Sequence, residues 1–192
     1  MKNELSIIFK GVELSEKELS YLASFFTKET YVKGSLLLDT DKKVTYQCYV
    51  VKGCLRTFFV DKEGKDHTIQ FAVKDWWISD YMSYFLNEES VLTVEAIEES
   101  VLLKISREDF EIIFDEIPAI ERFIRKKLER FMAKSQKRML QNLSLSAKEH
   151  YINFTKAYPD IEKHVKNYHI ASYLGITTQS LSRIRKDILI DS

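Results

Sequence analysis

Apolar residues change their spacing twice along the chain. Leu19, Leu22, Phe25 and Phe26 recur at helical intervals and predict a helix over Leu14–Phe26. From Thr30 to about Ile105 the pattern shortens into β-rich runs: TYVKGSLLL, YQCYVVKG, CLRTFFV, HTIQFAV, VLTVEAIEES and VLLKIS. Turn signals separate them at Lys33-Gly34, Lys52-Gly53 and Glu63-Gly64-Lys65. This texture predicts six to eight short strands in a roll, barrel or jelly roll.

Helical spacing returns at Ser106–Phe114, where Ser106 and Asp109 form an N-terminal capping pattern. Pro118 suits the first turn of a new helix. That helix reads on to about Leu143, with Ile120, Ile124, Leu128, Phe131 or Met132, Ser135 and Met139 at steps of three and four. The seam is close to a heptad. Its other faces carry Arg122, Arg125, Lys126, Lys127, Arg130, Lys134, Lys137 and Arg138. Such a helix either packs on its own sheet or pairs with a second copy. The narrow stripe and the length favour pairing, and the basic faces need be no more than solvated. Ser146–Tyr158 reads as a further helix ending before Pro159, and Glu162–Tyr168 as a polar link or short helix.

The closing stretch, HIASYLGITTQSLSRIRK, has its own logic. Ile170, Ala171 and Leu174 form an apolar face, and Gly175 permits the left-handed exit of a sharp corner. Ile176 fills that corner. Thr177 caps a second helix whose buried positions are Leu181 and Ile184. These spacings predict a helix-turn-helix. The outward positions, Thr178, Gln179, Ser182 and Arg183, carry groups that can read base edges in a major groove. Thr177, Ser180, Arg185 and Lys186 suit phosphates.

Composition adds one strong signal. The chain is 45% hydrophobic and 30% charged, as a globular protein is. It has no run approaching the ~18 apolar residues of a membrane span, and its N-terminus does not read as a secretory signal, so a cytoplasmic protein is expected. The zero net charge hides an asymmetry. Residues 122–192 hold 15 Lys/Arg against 6 Asp/Glu, leaving 14 against 23 in residues 1–121. The basic C-terminal part suits a polyanion, and the acidic N-terminal part would be repelled by one.

A β-roll, a long helix and a terminal helix-turn-helix, in this order and at this length, resemble the CRP/FNR family of bacterial transcription regulators. The most specific pieces are YVVKGCLRTFFVDKEGKDHTIQFAVKDWWISDY (Tyr49–Tyr81) and IASYLGITTQSLSRIRK (Ile170–Lys186). The resemblance implies a homodimer on double-stranded DNA, with RNA polymerase as a further candidate partner. It places base-reading residues at Thr178, Gln179 and Arg183, of which only Arg183 is the type common at its position. It implies a small β-wing after the recognition helix. Only Asp187–Ser192 follow here, so a wing is expected to be absent or to come from earlier strands.

Cyclic-nucleotide-binding members of that family carry a Gly-Glu pair and, about ten residues later, an Arg for the cyclic phosphate. Aligned on Ala96, those positions fall on Ser79-Asp80 and Ser90, followed by Val91. Ser90 supplies no charge, and Glu88 and Glu89 would repel a phosphate. Cyclic nucleotide is therefore not expected as a ligand, and no other cofactor is implied. Trp76, Trp77, Ser79, Asp80, Tyr81 and Ser90 remain a candidate effector pocket, with Tyr84 nearby. The alternative is that the rings simply fill the core. Cys48 and Cys54 read as core thiols rather than cluster ligands. The four histidines lack metal-ligand spacing, and no catalytic constellation stands out.

The expected fold is α+β, with a double-stranded, jelly-roll-like β-roll as sensor domain over residues 1–117, a dimerisation helix over 118–143 and a helix-turn-helix DNA-binding domain over 144–192. The expected dimer interface is Ile120, Ile124, Leu128, Phe131, Met132 and Met139. The expected function is a non-enzymatic, dimeric regulator reading an inverted-repeat site. A small-molecule sensor or protein-docking module whose helix-turn-helix does not bind DNA is the alternative.

Overall fold

The computed structural model describes residues 1–159 and 161–190. Two short helices, α1 (Lys2–Ile8) and α2 (Glu16–Phe25), open the chain. Sequence periodicity did not predict α1, because its buried face is only Leu5 and Ile8. A capping box fixes the start of α2, with the Ser15 hydroxyl accepting from the Glu18 amide and the Glu18 carboxylate reaching back.

Eight strands follow: β1 (Thr27–Tyr31), β2 (Leu36–Leu38), β3 (Tyr46–Lys52), β4 (Cys54–Val60), β5 (Asp66–Val73), β6 (Trp77–Ile78), β7 (Thr93–Ala96) and β8 (Ser100–Ser106). They form two four-stranded antiparallel sheets, ordered β1-β8-β3-β6 and β2-β7-β4-β5. The expected β-roll is present. Val50, Leu55, Ala72, Val94 and Leu102 fill the space between the sheets. Gly53 turns β3 into β4 with a positive φ, and a Cβ there would meet the side chain of Ser100 and the Glu99 carbonyl. Only glycine fits that close approach.

Two elements inside the roll escaped the sequence reading: β6 and a short helix, α3 (Tyr81–Leu86). A two-residue strand leaves no alternation to detect. The start of α3 is set by Asp80, whose carboxylate accepts from the amides of Met82 and Ser83.

Beyond the roll come α4 (Arg107–Glu116), α5 (Pro118–Ser144), α6 (Ala147–Ala157), a 3-10 turn at Ile161–Lys163, α7 (Asn167–Leu174) and α8 (Thr178–Ile190). Ser106 caps α4 as expected. With 27 residues, α5 is roughly 40 Å long. Its first turns pack into the core of α1, α2 and α4 through Ile120, with Phe123 and Ile124 against the same cluster. Below Leu128 almost every side chain of α5 is exposed. No strand follows β8 among the described residues, and Asp187–Ile190 belong to α8. Asp191 and Ser192, the end of the stretch that would precede or form a wing, lie outside the described residues. No described helix is long and apolar enough to cross a membrane.

Candidate nucleic-acid interface

The last two helices meet at Gly175, whose φ of 66° and ψ of 28° give the left-handed corner. The Ile176 amide returns to the Ala171 carbonyl at 3.0 Å, closing the turn. Ile170, Ala171 and Leu181 are buried together, with Leu174, Ile176 and Ile184 packed against them. Thr177 caps α8 by accepting from the Ser180 amide at 3.1 Å. This anchoring turns Thr178, Gln179, Ser182, Arg183 and Lys186 to the exposed side.

Arg185 points the other way. It donates to Glu162 at 2.6 and 3.1 Å, to Asn167 at 2.7 Å and to Tyr151 at 3.3 Å. Its guanidinium is a strut between α8 and the preceding segments, not an outward phosphate ligand as the sequence suggested. The signal missed there is tertiary, since Tyr151 and Glu162 lie 34 and 23 residues away.

The residues expected at a dimer seam also divide. Ile120 is 0% exposed within its own chain, so it is core and not available to a partner. Ile124 packs partly on that same core. Phe131, Met132 and Met139 are exposed, and the structure adds Leu140 and Leu143 to their stripe. These residues form an exposed apolar stripe along the second half of α5.

The six candidate effector residues pack into separate surroundings, apart from one pair. Trp76 stacks on Tyr158, just past the end of α6, at 5.3 Å between centroids. Trp77 packs between Tyr49 and Phe110 at 5.5 and 5.7 Å. Its indole nitrogen is buried without a hydrogen-bond partner among the described residues. Tyr81 stacks on Phe85 and meets Phe131 of α5 at 5.4 Å. Ser79 donates to the Tyr46 carbonyl at 2.8 Å.

Asp80 and Ser90 are brought together. Both are buried, and the Ser90 hydroxyl donates to Asp80 at 2.6 Å. The other Asp80 oxygen takes the Met82 and Ser83 amides at 2.9 and 3.2 Å. The Ser83 hydroxyl accepts from the Val44 amide and donates to the Glu88 carbonyl. The positions aligned with a sugar-binding acid and a phosphate-binding arginine thus satisfy each other, and a buried carboxylate so satisfied has little left for a ligand. Calorimetry with cyclic AMP is expected to show no saturable binding. Micromolar binding would mean that this network opens and rearranges.

Both cysteines are buried and free, and burial pushes each thiol up to about 12, so neither is a reactive thiolate. Among the described residues no group of three His, Cys, Asp or Glu is placed to hold a metal. His169 is buried at the start of α7, and burial first, then the Arg56 and Lys166 charges against an opposing Asp66, lowers it to about 4. The unfolded chain therefore takes up a proton near pH 6.5 that the folded chain refuses until about pH 4. Stability should be unaffected by this group above about pH 6.5 and fall as pH drops toward 4. Scanning calorimetry should show a shallower fall for His169→Gln, and parallel curves would remove His169 from the acid response.

Residues 28–116 match the cyclic nucleotide-binding domain family. No curated protein matches the sequence. Among solved structures, FixK2 from Bradyrhizobium japonicum superposes with a TM-score of 0.73 at 18% identity, over 86% of this chain and 85% of its own. A CooA variant from Carboxydothermus hydrogenoformans gives 0.72 at 18% identity, over 90% and 80%. A transcriptional regulator of the CRP/FNR family from Eubacterium rectale gives 0.68 at 16% identity, over 93% and 85%. With the roll, the long helix and the terminal helix pair all in place, the chain carries a cyclic nucleotide-binding-type domain at residues 28–116 within the fold of the CRP/FNR regulators.

Proposed function

We propose that the protein is a dimeric transcription regulator that inserts α8 into the major groove of double-stranded DNA, and that it acts without cyclic AMP. The observation that carries the reading is the division of α8 into two faces. Leu181 and Ile184 hold it to the domain, while Thr178, Gln179, Ser182 and Arg183 stand free of that packing on the exposed face. In this reading those four meet base edges, and Thr177, Ser180 and Lys186 lie near phosphates. The excess of Lys/Arg over Asp/Glu in residues 122–192 draws that end to DNA, and the acidic roll stays outside. Dimerisation through α5 presents two copies of α8, so the site is an inverted repeat. The reading is a cytoplasmic binding protein, not an enzyme.

Salt separates this function from protein docking. Binding of a labelled duplex carrying the selected site should weaken about a thousandfold between 50 and 200 mM salt if some six phosphates are contacted. A salt-insensitive interaction would favour a helix-turn-helix that docks on protein.

A further inference from the structure

The helix-turn-helix does not hang from α5. Phe71 of β5 is fully buried against Phe154 and Tyr158 at 6.1 and 6.0 Å and Tyr173 at 5.6 Å. Tyr173, on α7, is also covered by Arg138 of α5 at 4.6 Å. Roll, long helix and helix-turn-helix therefore converge on one ring. Ring packing of this kind gives adhesion but little direction, because apolar burial scales with area and not with register.

Direction comes from polar contacts: His164 meets Glu98 at the β7–β8 loop at 2.9 Å, and a hydroxyl engages the β5 edge. Strand β5 is the edge of its sheet, so its outer backbone groups have no strand partner. Ser172 of α7 supplies one: its hydroxyl accepts from the Thr68 amide at 2.9 Å and donates to the Asp66 carbonyl at 2.9 Å. The receiving segment is itself held. Arg56, 2% exposed, donates to the Thr68 hydroxyl at 3.0 Å and the Asp66 carboxylate at 2.6 Å, and lies over the Phe58 ring.

We infer that Ser172 is a positioning residue that fixes the register of α7 on the β5 edge, and that this register sets which half-site spacing the dimer accepts. The inference rests on the DNA-binding reading above. Each base pair inserted between half-sites moves the second by about 3.4 Å and about 34° around the duplex. Two α8 helices locked to their rolls cannot follow that rotation. Helices released from the β5 edge can.

The test uses the full-length protein and duplexes enriched from a random-sequence pool, then resynthesised with zero to four base pairs added between the half-sites. Wild type should enrich one spacing and bind the others at least roughly tenfold more weakly, on the scale of the directional bonds lost. Ser172→Ala should accept several spacings with the same half-site sequence and an unchanged oligomeric state. Ser172→Asp, which cannot donate to the Asp66 carbonyl, should do so more strongly, and Ser172→Thr should restore the single spacing. If Ser172→Ala keeps the wild-type spacing profile, or wild type itself enriches several spacings, the spacing rule is overturned while DNA binding stands. If wild type enriches no duplex, both fall.

Discussion

Replacing Met132 and Met139 with Asp should convert the protein to monomers and remove nearly all of its specific DNA affinity. These two side chains are 69% and 66% exposed on a helix whose lower half touches little of its own chain, so the substitutions leave the protomer core intact. Exposed positions of this kind usually change stability by no more than about 0.5 kcal/mol. In the dimer the same positions are proposed to lie in an apolar seam, where paired carboxylates would be buried without partners. Loss of the second recognition helix removes the effective concentration that links two half-sites, a factor of about 10²–10⁴. Sedimentation should report one species at the protomer mass, and binding to an isolated half-site should be nearly unchanged. A double variant that still sediments as a dimer would place the interface elsewhere. The choice of residues matters: Ile124 packs partly on its own core, so an Asp there would report on folding as well as on assembly.

Arg183→Ala should sharply reduce discrimination between the selected site and scrambled DNA while leaving the fold unchanged. Arg183 is exposed in the first turns of α8, away from the buried Leu181. A bidentate arginine–guanine contact contributes roughly 1–3 kcal/mol, so two half-sites lose roughly 2–6 kcal/mol on the selected duplex. Affinity for scrambled DNA should change little. Lys186→Ala should do the opposite, weakening both duplexes alike and flattening the salt slope by about one phosphate per half-site. If Arg183→Ala weakens selected and scrambled duplexes equally, the side chain is a phosphate anchor and the reading of this helix face is wrong.

The helix-turn-helix was legible in the sequence because its signals are local. One glycine at a left-handed corner, a threonine cap and apolar residues at fixed offsets recur within a span of some 15 residues, and each was found where its chemistry requires. The roll was legible from its turn glycines. The errors came where partners are distant in sequence. Periodicity marked Ile120 as apolar-facing but could not tell the chain's own core from a second copy. Arg185 looked like a phosphate ligand because Glu162 and Tyr151 reach it only after folding. Alignment alone marked Ser90 as a missing phosphate ligand and left Asp80 in a candidate pocket, and only the fold shows the two hydrogen-bonded to each other. Ser172 gave no signal at all, since its partner amide at Thr68 is 104 residues away.

In the proposed complex Arg183 on α8 reads a guanine in the major groove. Replacing that guanine by 7-deazaguanine deletes the N7 acceptor that faces the groove and leaves Watson–Crick pairing intact. The direct measurement is a cycle of four dissociation constants: wild type and Arg183→Ala, each on the natural and the substituted selected duplex. Wild type should lose affinity on the substituted duplex and Arg183→Ala should bind both alike, so the two losses do not add. Equal losses for both proteins, or none for wild type, would contradict that guanine contact.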